Sequence, residues 1–292
     1  MTESTPPALD DARRVMQDRW GYASFRPGQD EIIEAVLERR DVLGVLPTGG
    51  GKSLCYQVPA LLADGFVLVV SPLISLMQDQ VAGLRARGIE AAFINSTLPF
   101  HEIDQRWTDA EHGRYDLLYV APERLQTDLF QARAPRLDVS LLAVDEAHCV
   151  SEWGHHFRPA YREISAARDG VGAPPTLAVT ATATPDVRRD VVDLLDLDDP
   201  AEVVRGFDRP NLVWSVFRTE SKRKKLRDVV EAVEGSGIVY TATRRGVETW
   251  TEMLRKKGHR AEGYHGGLEA ANREQVQNRW VEGTTRIIVA TN

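Results

Sequence analysis

With 292 residues, 42% of them hydrophobic and 27% charged, the chain has the composition of one large or two ordinary globular domains, which excludes a disordered polymer. A formal charge of -7 excludes bulk attraction to polyanions, so phosphate affinity has to come from local clusters such as Lys222-Arg-Lys-Lys225, Arg244-Arg245 and Arg255-Lys-Lys257. Two cysteines, Cys55 and Cys149, exclude a disulfide framework and a four-thiolate zinc site; with no targeting signal at the N-terminus and no apolar run near the roughly 18 residues of a membrane span, a reducing cytoplasmic setting is expected.

In chain order, Tyr22-Ala-Ser-Phe-Arg-Pro-Gly-Gln29 precedes a helix predicted over 28–40. Tyr22 and Arg26 can sandwich a purine ring, and the Gln29 amide can meet a donor and an acceptor on an adenine edge. The same residues also make an ordinary helix start with Pro27 in its first turn. A strand predicted at 42–46 then runs into Leu46-Pro-Thr-Gly-Gly-Gly-Lys-Ser53 and a helix predicted over 52–63. Between strand and helix, Thr48, Gly49, Gly50 and Gly51 let backbone N–H groups close around phosphates at a helix N-terminus. Lys52 is placed to meet the β and γ phosphates of ATP, and Ser53 to ligate Mg2+. The strict phosphate-loop pattern has glycine where this chain has Leu46.

Further short β-branched runs at 66–70, 90–94, 116–120, 140–144 and 176–180, with helices at 73–87 and 159–168 among the spacers, predict a mainly parallel sheet covered on both faces. The more polar Ile89–Phe93 reads as an edge strand. Asp145-Glu-Ala-His148 closes the apolar run Leu141–Val144, at the carboxyl edge where ligands bind in open α/β sheets. Asp145 is expected to hold magnesium with Ser53, Glu146 to orient and activate the attacking water, and His148 to relay the state of the phosphate. Adjacent side chains on a strand point to opposite faces, so both acids can serve one site only at the strand's end.

The following loop, Cys149 to Tyr161, contains Trp153, Phe157 and Arg158, which suit stacking against the bases of a single strand. Two other readings are a plug for the core, and a metal site of Cys149, His155 and His156; that trio matches no common zinc spacing and lacks a fourth ligand, so no zinc is predicted. Thr180-Ala-Thr-Ala-Thr184 precedes a helix predicted at 185–195 and offers either a link to a second domain or a simple N-cap.

The turn-rich Asp196-Leu-Asp-Asp-Pro200 and Gly206-Phe-Asp-Arg-Pro-Asn211 separate two predicted domains, 1–205 and 206–292. The second carries strands predicted at 212–217, 237–241, 260–264 and 286–290 and helices at 221–234, 244–257 and 268–282. Lys222 to Arg227 reads as a solvated helix face rather than a DNA contact. Because Arg286 to Asn292 reads as a core strand with nothing after it, the expected fold is α/β, two parallel-sheet domains in tandem with the second incomplete.

Together these segments resemble the RecQ family of superfamily 2 DNA helicases. The resemblance is carried by Phe25-Arg-Pro-Gly-Gln29, Leu46 to Gln57, Ser71-Pro-Leu-Ile-Ser-Leu-Met-Gln-Asp-Gln80, Tyr119-Val-Ala-Pro-Glu-Arg-Leu125, Asp145 to Tyr161, Thr180 to Ala183, Phe207-Asp-Arg-Pro-Asn-Leu212 and Tyr264-His-Gly-Gly-Leu268. It implies two RecA-like domains and adenine recognition by Tyr22, Arg26 and Gln29. It further implies coupling of single-stranded DNA to ATP hydrolysis by Trp153, Phe157 and Arg158, with 3′ to 5′ translocation and unwinding of duplex DNA in recombination and repair. A monomer in the cytoplasm, associated with the nucleoid, is expected. Gly266 and Trp280 stand where the family usually has alanine and phenylalanine. The family's next motif starts at Val289-Ala-Thr-Asn292, and its arginine finger, zinc module and winged helix have no counterpart in these residues, so the 292-residue chain is expected to bind Mg-ATP, hydrolyse it slowly and not unwind DNA. DNA-stimulated turnover at full-length rates would refute this. The alternatives are an RNA helicase of the DEAD or DEAH type and a non-catalytic ATP-dependent nucleic-acid-binding module.

Overall fold

Aliphatic runs of four to six residues, each followed by a turn, become parallel strands whose alternate side chains enter two separate cores. The computed structural model describes residues 8–154, 157–206 and 211–291. It divides into two compact units, Met1–Arg209 and Pro210–Asn292. The first unit comprises α1 (Leu9–Trp20), α2 (Gln29–Leu37), β1 (Val42–Val45), α3 (Leu54–Gln57), β2 (Phe66–Val70), α4 (Ile74–Arg85), β3 (Ala91–Ile94) and α5 (Phe100–Glu111). It continues with β4 (Leu117–Val120), α6 (Asp128–Arg133), β5 (Val139–Val144), α7 (Ile164–Gly170), β6 (Thr176–Thr180), α8 (Pro185–Leu194) and β7 (Ala201–Val204).

These strands form a seven-stranded parallel sheet in the order β3-β4-β2-β5-β6-β1-β7. Phe66, Leu68 and Val70 of β2 enter one core with Trp107, Phe130 and Tyr161, while Val67 and Val69 enter the other with Ile32, Tyr56 and Met77. The registers Val45 with Thr180 and Val70 with Val144 bring the ends of β1, β6, β2 and β5 level. The three segments singled out in the sequence, 46–53, 145–148 and 180–184, therefore leave one edge of the sheet. β3 is an edge strand, as its polarity predicts.

The second unit holds α9 (Lys222–Ala232), β8 (Gly237–Tyr240), α10 (Arg244–Lys256), β9 (Ala261–Tyr264), α11 (Ala270–Val281) and β10 (Ile287–Ala290). Its sheet is parallel in the order β8-β10-β9. Val230, Val247, Leu254, Ala261, Ile287 and Val289 form its main core.

Several elements differ from expectation. Residues 212–217 form no strand; Val213, Trp214, Val216 and Phe217 are exposed and find no ladder partner among the described residues, and a strand without a partner keeps its propensity but gains no hydrogen bonds. The helix expected over 52–63 is the single turn α3 followed by a 3-10 turn at Pro59–Leu61, because Pro59 has no N–H to donate to the carbonyl one turn earlier. The helix expected over 159–168 likewise opens with a 3-10 turn, Pro159–Glu163, before α7. β7 was not anticipated: of Ala-Glu-Val-Val only Val203 is fully buried and Glu202 is exposed, as an edge position beside β1 permits. Helices α1, α5 and α6 were also not assigned from sequence. Of the motif residues, Phe207, Asp208, Arg209 and Pro210, beside the boundary expected near Gly206, and Asn292 lie outside the described residues. No helix among the described residues is long and apolar enough to cross a membrane.

Candidate functional site

The phosphate-loop segment leaves β1 with one further sheet bond, from Leu46 N–H to Thr180 O at 3.1 Å, and then turns, Gly50 N–H donating to Pro47 O at 2.8 Å. Gly49 and Gly51 both have φ of +78°, a conformation that favours glycine. Space is closed as well: a Cβ on Gly50 would lie 2.8 Å from Pro47 O, and one on Gly51 2.3 Å from Gln29 Nε2. Leu54 and Cys55 donate their N–H groups to Gly51 O and Lys52 O. The N–H groups of Thr48, Gly49, Gly51, Lys52 and Ser53 meet no acceptor among the described residues. Five unmatched donors in six residues make an anion-binding concavity. Since α3 is one turn long, these turn donors carry the attraction for phosphate, and the helix dipole invoked from sequence adds little.

Beside the loop, Arg26 donates through Nη1 to Gly49 O and through its backbone N–H to Gln29 Oε1 at 2.8 Å. Gln29 is 1% exposed, and its Nε2 donates to Gly50 O at 3.2 Å and Gly51 O at 2.9 Å. Its amide is thus fully engaged in bracing the loop instead of standing ready for a base edge, because a buried amide left unmatched is costly. Tyr22, 48% exposed, shares with Arg26, Gln29, Gly51, Ser53 and Gln80 the wall of a cleft of about 700 Å³. Tyr22, Arg26 and Gln29 are therefore brought to the glycine turn.

At the next strand end but one, Asp145 follows β5 and is 7% exposed. Glu146 adopts φ +50°, ψ +43°, a left-handed conformation unusual for a side-chain-bearing residue and found where a site demands a sharp turn. This turn ends the strand alternation that would have sent the two carboxylates to opposite faces. Burial, and next the Glu146 charge, push the Asp145 carboxyl up to about 6; the Glu146 N–H, 3.0 Å from Oδ1, and the Lys52 ammonium oppose the rise. Lys52 thus acts electrostatically on Asp145. The His148 ring nitrogen Nδ1 lies 2.9 Å from Thr180 Oγ1 and 3.4 Å from Glu146 Oε2, joining the acid turn to the end of β6. A residue not singled out by sequence completes the turn: Tyr161, fully buried, donates its hydroxyl to Asp145 O at 2.8 Å. Its position two residues after Pro159, at the close of the aromatic stretch, was the available signal.

Both thiols are raised by burial, Cys55 to about 12 and Cys149 to about 11, which leaves them unreactive. No group of three or more metal-ligating side chains occurs among the described residues, and His155 and His156 lie outside them. One hydroxyl and one carboxylate, completed by phosphate oxygens and water, is a donor set that suits Mg2+.

Trp153 is 80% exposed and outside every hydrophobic cluster, so it is no core plug. Phe157 is half-buried beneath the Arg162 guanidinium, 5.1 Å from its ring centre, and Arg162 in turn pairs with Glu152 at 2.7 Å. Arg158 reaches Pro72 O with Nη1 at 3.2 Å, and its N–H donates to Cys149 O at 2.9 Å. A cavity of about 420 Å³ between this loop and residues 182–188 is lined by His148, Trp153, Gly154, Thr182, Pro185 and Arg188. In the second unit, Lys222, Arg223 and Lys224 face water at the start of α9, and Lys225 stacks on Phe217 at 3.6 Å.

Comparisons with known proteins give the chain's family and fold. The DEAD/DEAH box helicase family matches residues 26–191, just over half of the chain, and the helicase conserved C-terminal domain matches 221–292. The chain is 43% identical over 287 residues to the ATP-dependent DNA helicase RecQ of Bacillus subtilis, covering 97% of this chain and 49% of that protein. It is 43% identical over 286 residues to RecQ of Pasteurella multocida, with 98% and 45% covered. It therefore spans about half the length of these relatives. Among solved structures, the Mycobacterium smegmatis helicase Lhr bound to ssDNA and AMP-PNP aligns with TM-score 0.66 at 22% identity, over 98% of this chain and 41% of that one. The helicase MrfA bound to DNA and AMPPNP aligns with TM-score 0.74 at 19% identity, over 100% and 44%. At such identities the likeness is one of fold: two tandem RecA-like domains.

Proposed function

Because the chain belongs to the DEAD/DEAH box helicases and is RecQ-like along nearly its whole length, we propose that it is the motor region of an ATP-dependent DNA helicase. One observation supports this most: a row of unmatched backbone donors at Thr48–Ser53 whose lysine acts on the buried, charge-strained Asp145. The row binds the triphosphate, and Lys52 sits against the β and γ phosphates. Tyr22 and Arg26 cover the adenine. Gln29 braces the loop through Gly50 and Gly51, and its amide has the donor and acceptor that an adenine edge requires. Ser53 and Asp145 would hold Mg2+, which when bound would neutralise phosphate charge. Glu146 takes the proton of the attacking water as the bond from the γ phosphorus to its bridging oxygen breaks, and Lys52 balances the charge that develops. His148, through Thr180, passes the state of the γ phosphate to the end of β6.

Trp153, Phe157 and Arg158 lie beside this turn, and the exposed indole offers a stacking face to a single-stranded base. The whole reading is 3′ to 5′ translocation of a monomer on nucleoid DNA with unwinding of duplex during recombination and repair. It is tested by titrating a fluorescent ATP analogue, with and without Mg2+, against wild type and Lys52→Ala. Magnesium-enhanced binding lost in the variant is expected; equal affinity would reject the cradle. For the nucleic acid, greater stimulation of a chain extended to the length of its relatives by ssRNA than by ssDNA would favour an RNA helicase instead.

A further inference from the structure

The Trp153 side chain is exposed, so packing does little to hold it in place. Its position has to come from the backbone of the stem, residues 151–154. That stem is pressed against the acid turn: Ser151 N–H donates to His148 O at 3.3 Å, Gly154 N–H donates to Ser151 O at 3.1 Å, and a Cβ on Gly154 would sit 2.4 Å from His148 O. Only glycine admits so close a backbone approach.

Two side-chain hydrogen bonds among the described residues leave this stem: the exposed Glu152 pairs with Arg162 of the 3-10 turn that continues the same loop, and Ser151 alone reaches an α-helix. Ser151, fully buried, accepts the Trp153 N–H at 3.1 Å and donates its own hydroxyl to Asp190 Oδ2 at 2.5 Å. Asp190 lies on α8, a helix N-capped by Thr184 and anchored in the core by Val187 and Val191. The segment between Thr180 and Asp190 is thus fastened at both ends, to His148 and to Ser151. A hydroxyl that accepts from one residue and donates to a carboxylate transmits direction as well as energy, since moving either partner breaks a partly buried bond to a buried hydroxyl.

We propose that Asp190 is a positioning residue for the aromatic loop: through Ser151 it fixes the backbone from which Trp153 projects, so that the indole is presented to single-stranded DNA in one orientation. The proposal rests on the DNA-stacking reading of Trp153. The test measures affinity of the 292-residue chain for a labelled oligothymidylate, ATP-analogue affinity, and the 19F resonance of 5-fluorotryptophan at position 153, assigned with Trp153→Phe. Trp153→Ala should weaken DNA binding roughly 5- to 150-fold, the range for one stacked base. Asp190→Ala and Ser151→Ala should each lose about fivefold, a part of that range, and the double variant no more than either alone, because both break the same bridge. Asp190→Asn, which keeps an oxygen to accept from Ser151, should stay near wild type. ATP-analogue affinity should be unchanged in all Asp190 and Ser151 variants, and the Trp153 resonance should shift in Asp190→Ala but not in Asp190→Asn. Wild-type DNA affinity in Asp190→Ala, beside a weakened Trp153→Ala, overturns the proposal while leaving the stacking reading intact. If Trp153→Ala binds DNA normally, the stacking reading has failed, and presentation to DNA fails with it. Should Asp190→Ala not fold, Ser151→Ala decides by the same criteria.

Discussion

Two aspartates at opposite edges of the same sheet have opposite lives. Asp41 precedes β1 at the amino edge, is 6% exposed, and has every lone pair answered: Arg168 Nη2 lies 3.0 and 2.9 Å from its two oxygens, Thr176 N–H donates at 2.7 Å and Asp198 N–H at 2.8 Å. Arg168 is itself held by Pro174 O at 3.0 Å and Asp196 O at 2.5 Å. Asp145 follows β5 at the carboxyl edge, is equally buried, and has as its close donor, among the described residues, only the N–H of the residue beside it, with Glu146 repelling it. Burial alone therefore does not mark a functional carboxylate; burial without enough partners does. The amino edge spends its polar groups on holding strands together, whereas the carboxyl edge leaves five donors and a carboxylate open to a ligand.

Breaking the amino-edge pair should give the largest effect. Asp41→Ala or Arg168→Ala leaves a buried charge alone and is expected to lower stability by about 3–5 kcal/mol in urea denaturation; a loss under 1 kcal/mol would dissolve the contrast between the edges. At the other edge, Lys52→Ala should lower nucleotide affinity by about 3 kcal/mol, near 150-fold, by removing a charge-assisted phosphate contact, while the melting temperature without nucleotide stays put.

The pH dependence sharpens the comparison further. The folded Asp145 carboxyl titrates near 6 and the unfolded one near its ordinary 3.8, so between those values the folded state binds more protons. Its contribution to stability accordingly falls as pH rises from 3.8 to 6 and stays low above that. Asp145→Asn removes the desolvated charge and should stabilise the nucleotide-free protein by about 3 kcal/mol at pH 8, the equivalent of that shift. The gain should shrink toward zero near pH 4, as followed by thermal melts. A destabilised Asp145→Asn at pH 8 would mean the carboxylate has unseen support. Trp153→Ala should have the smallest effect on stability, within about 0.5 kcal/mol, because an exposed side chain contributes little to folding; its cost is expected in DNA affinity alone.

Local chemistry was sufficient for much of this protein. β-branched runs between turns specified six of the seven strands of the first sheet, and the glycine turn, Lys52, the acid pair and the exposed Trp153 were legible because each is a short-range pattern with its own chemistry. What only the tertiary structure decided depends on partners distant in the chain. Residues 212–217 look like a strand and form none, for want of a ladder partner among the described residues. β7 looks unlike a strand and is one, because β1 supplies its ladder. Gln29 is a loop brace, Tyr161 a pin for Asp145, and Ser151 a bridge to Asp190, through hydrogen bonds spanning 21, 16 and 39 residues. Residue type states what a side chain can donate or accept; which partner the fold delivers determines whether that capacity is consumed in holding the structure or left open for a ligand.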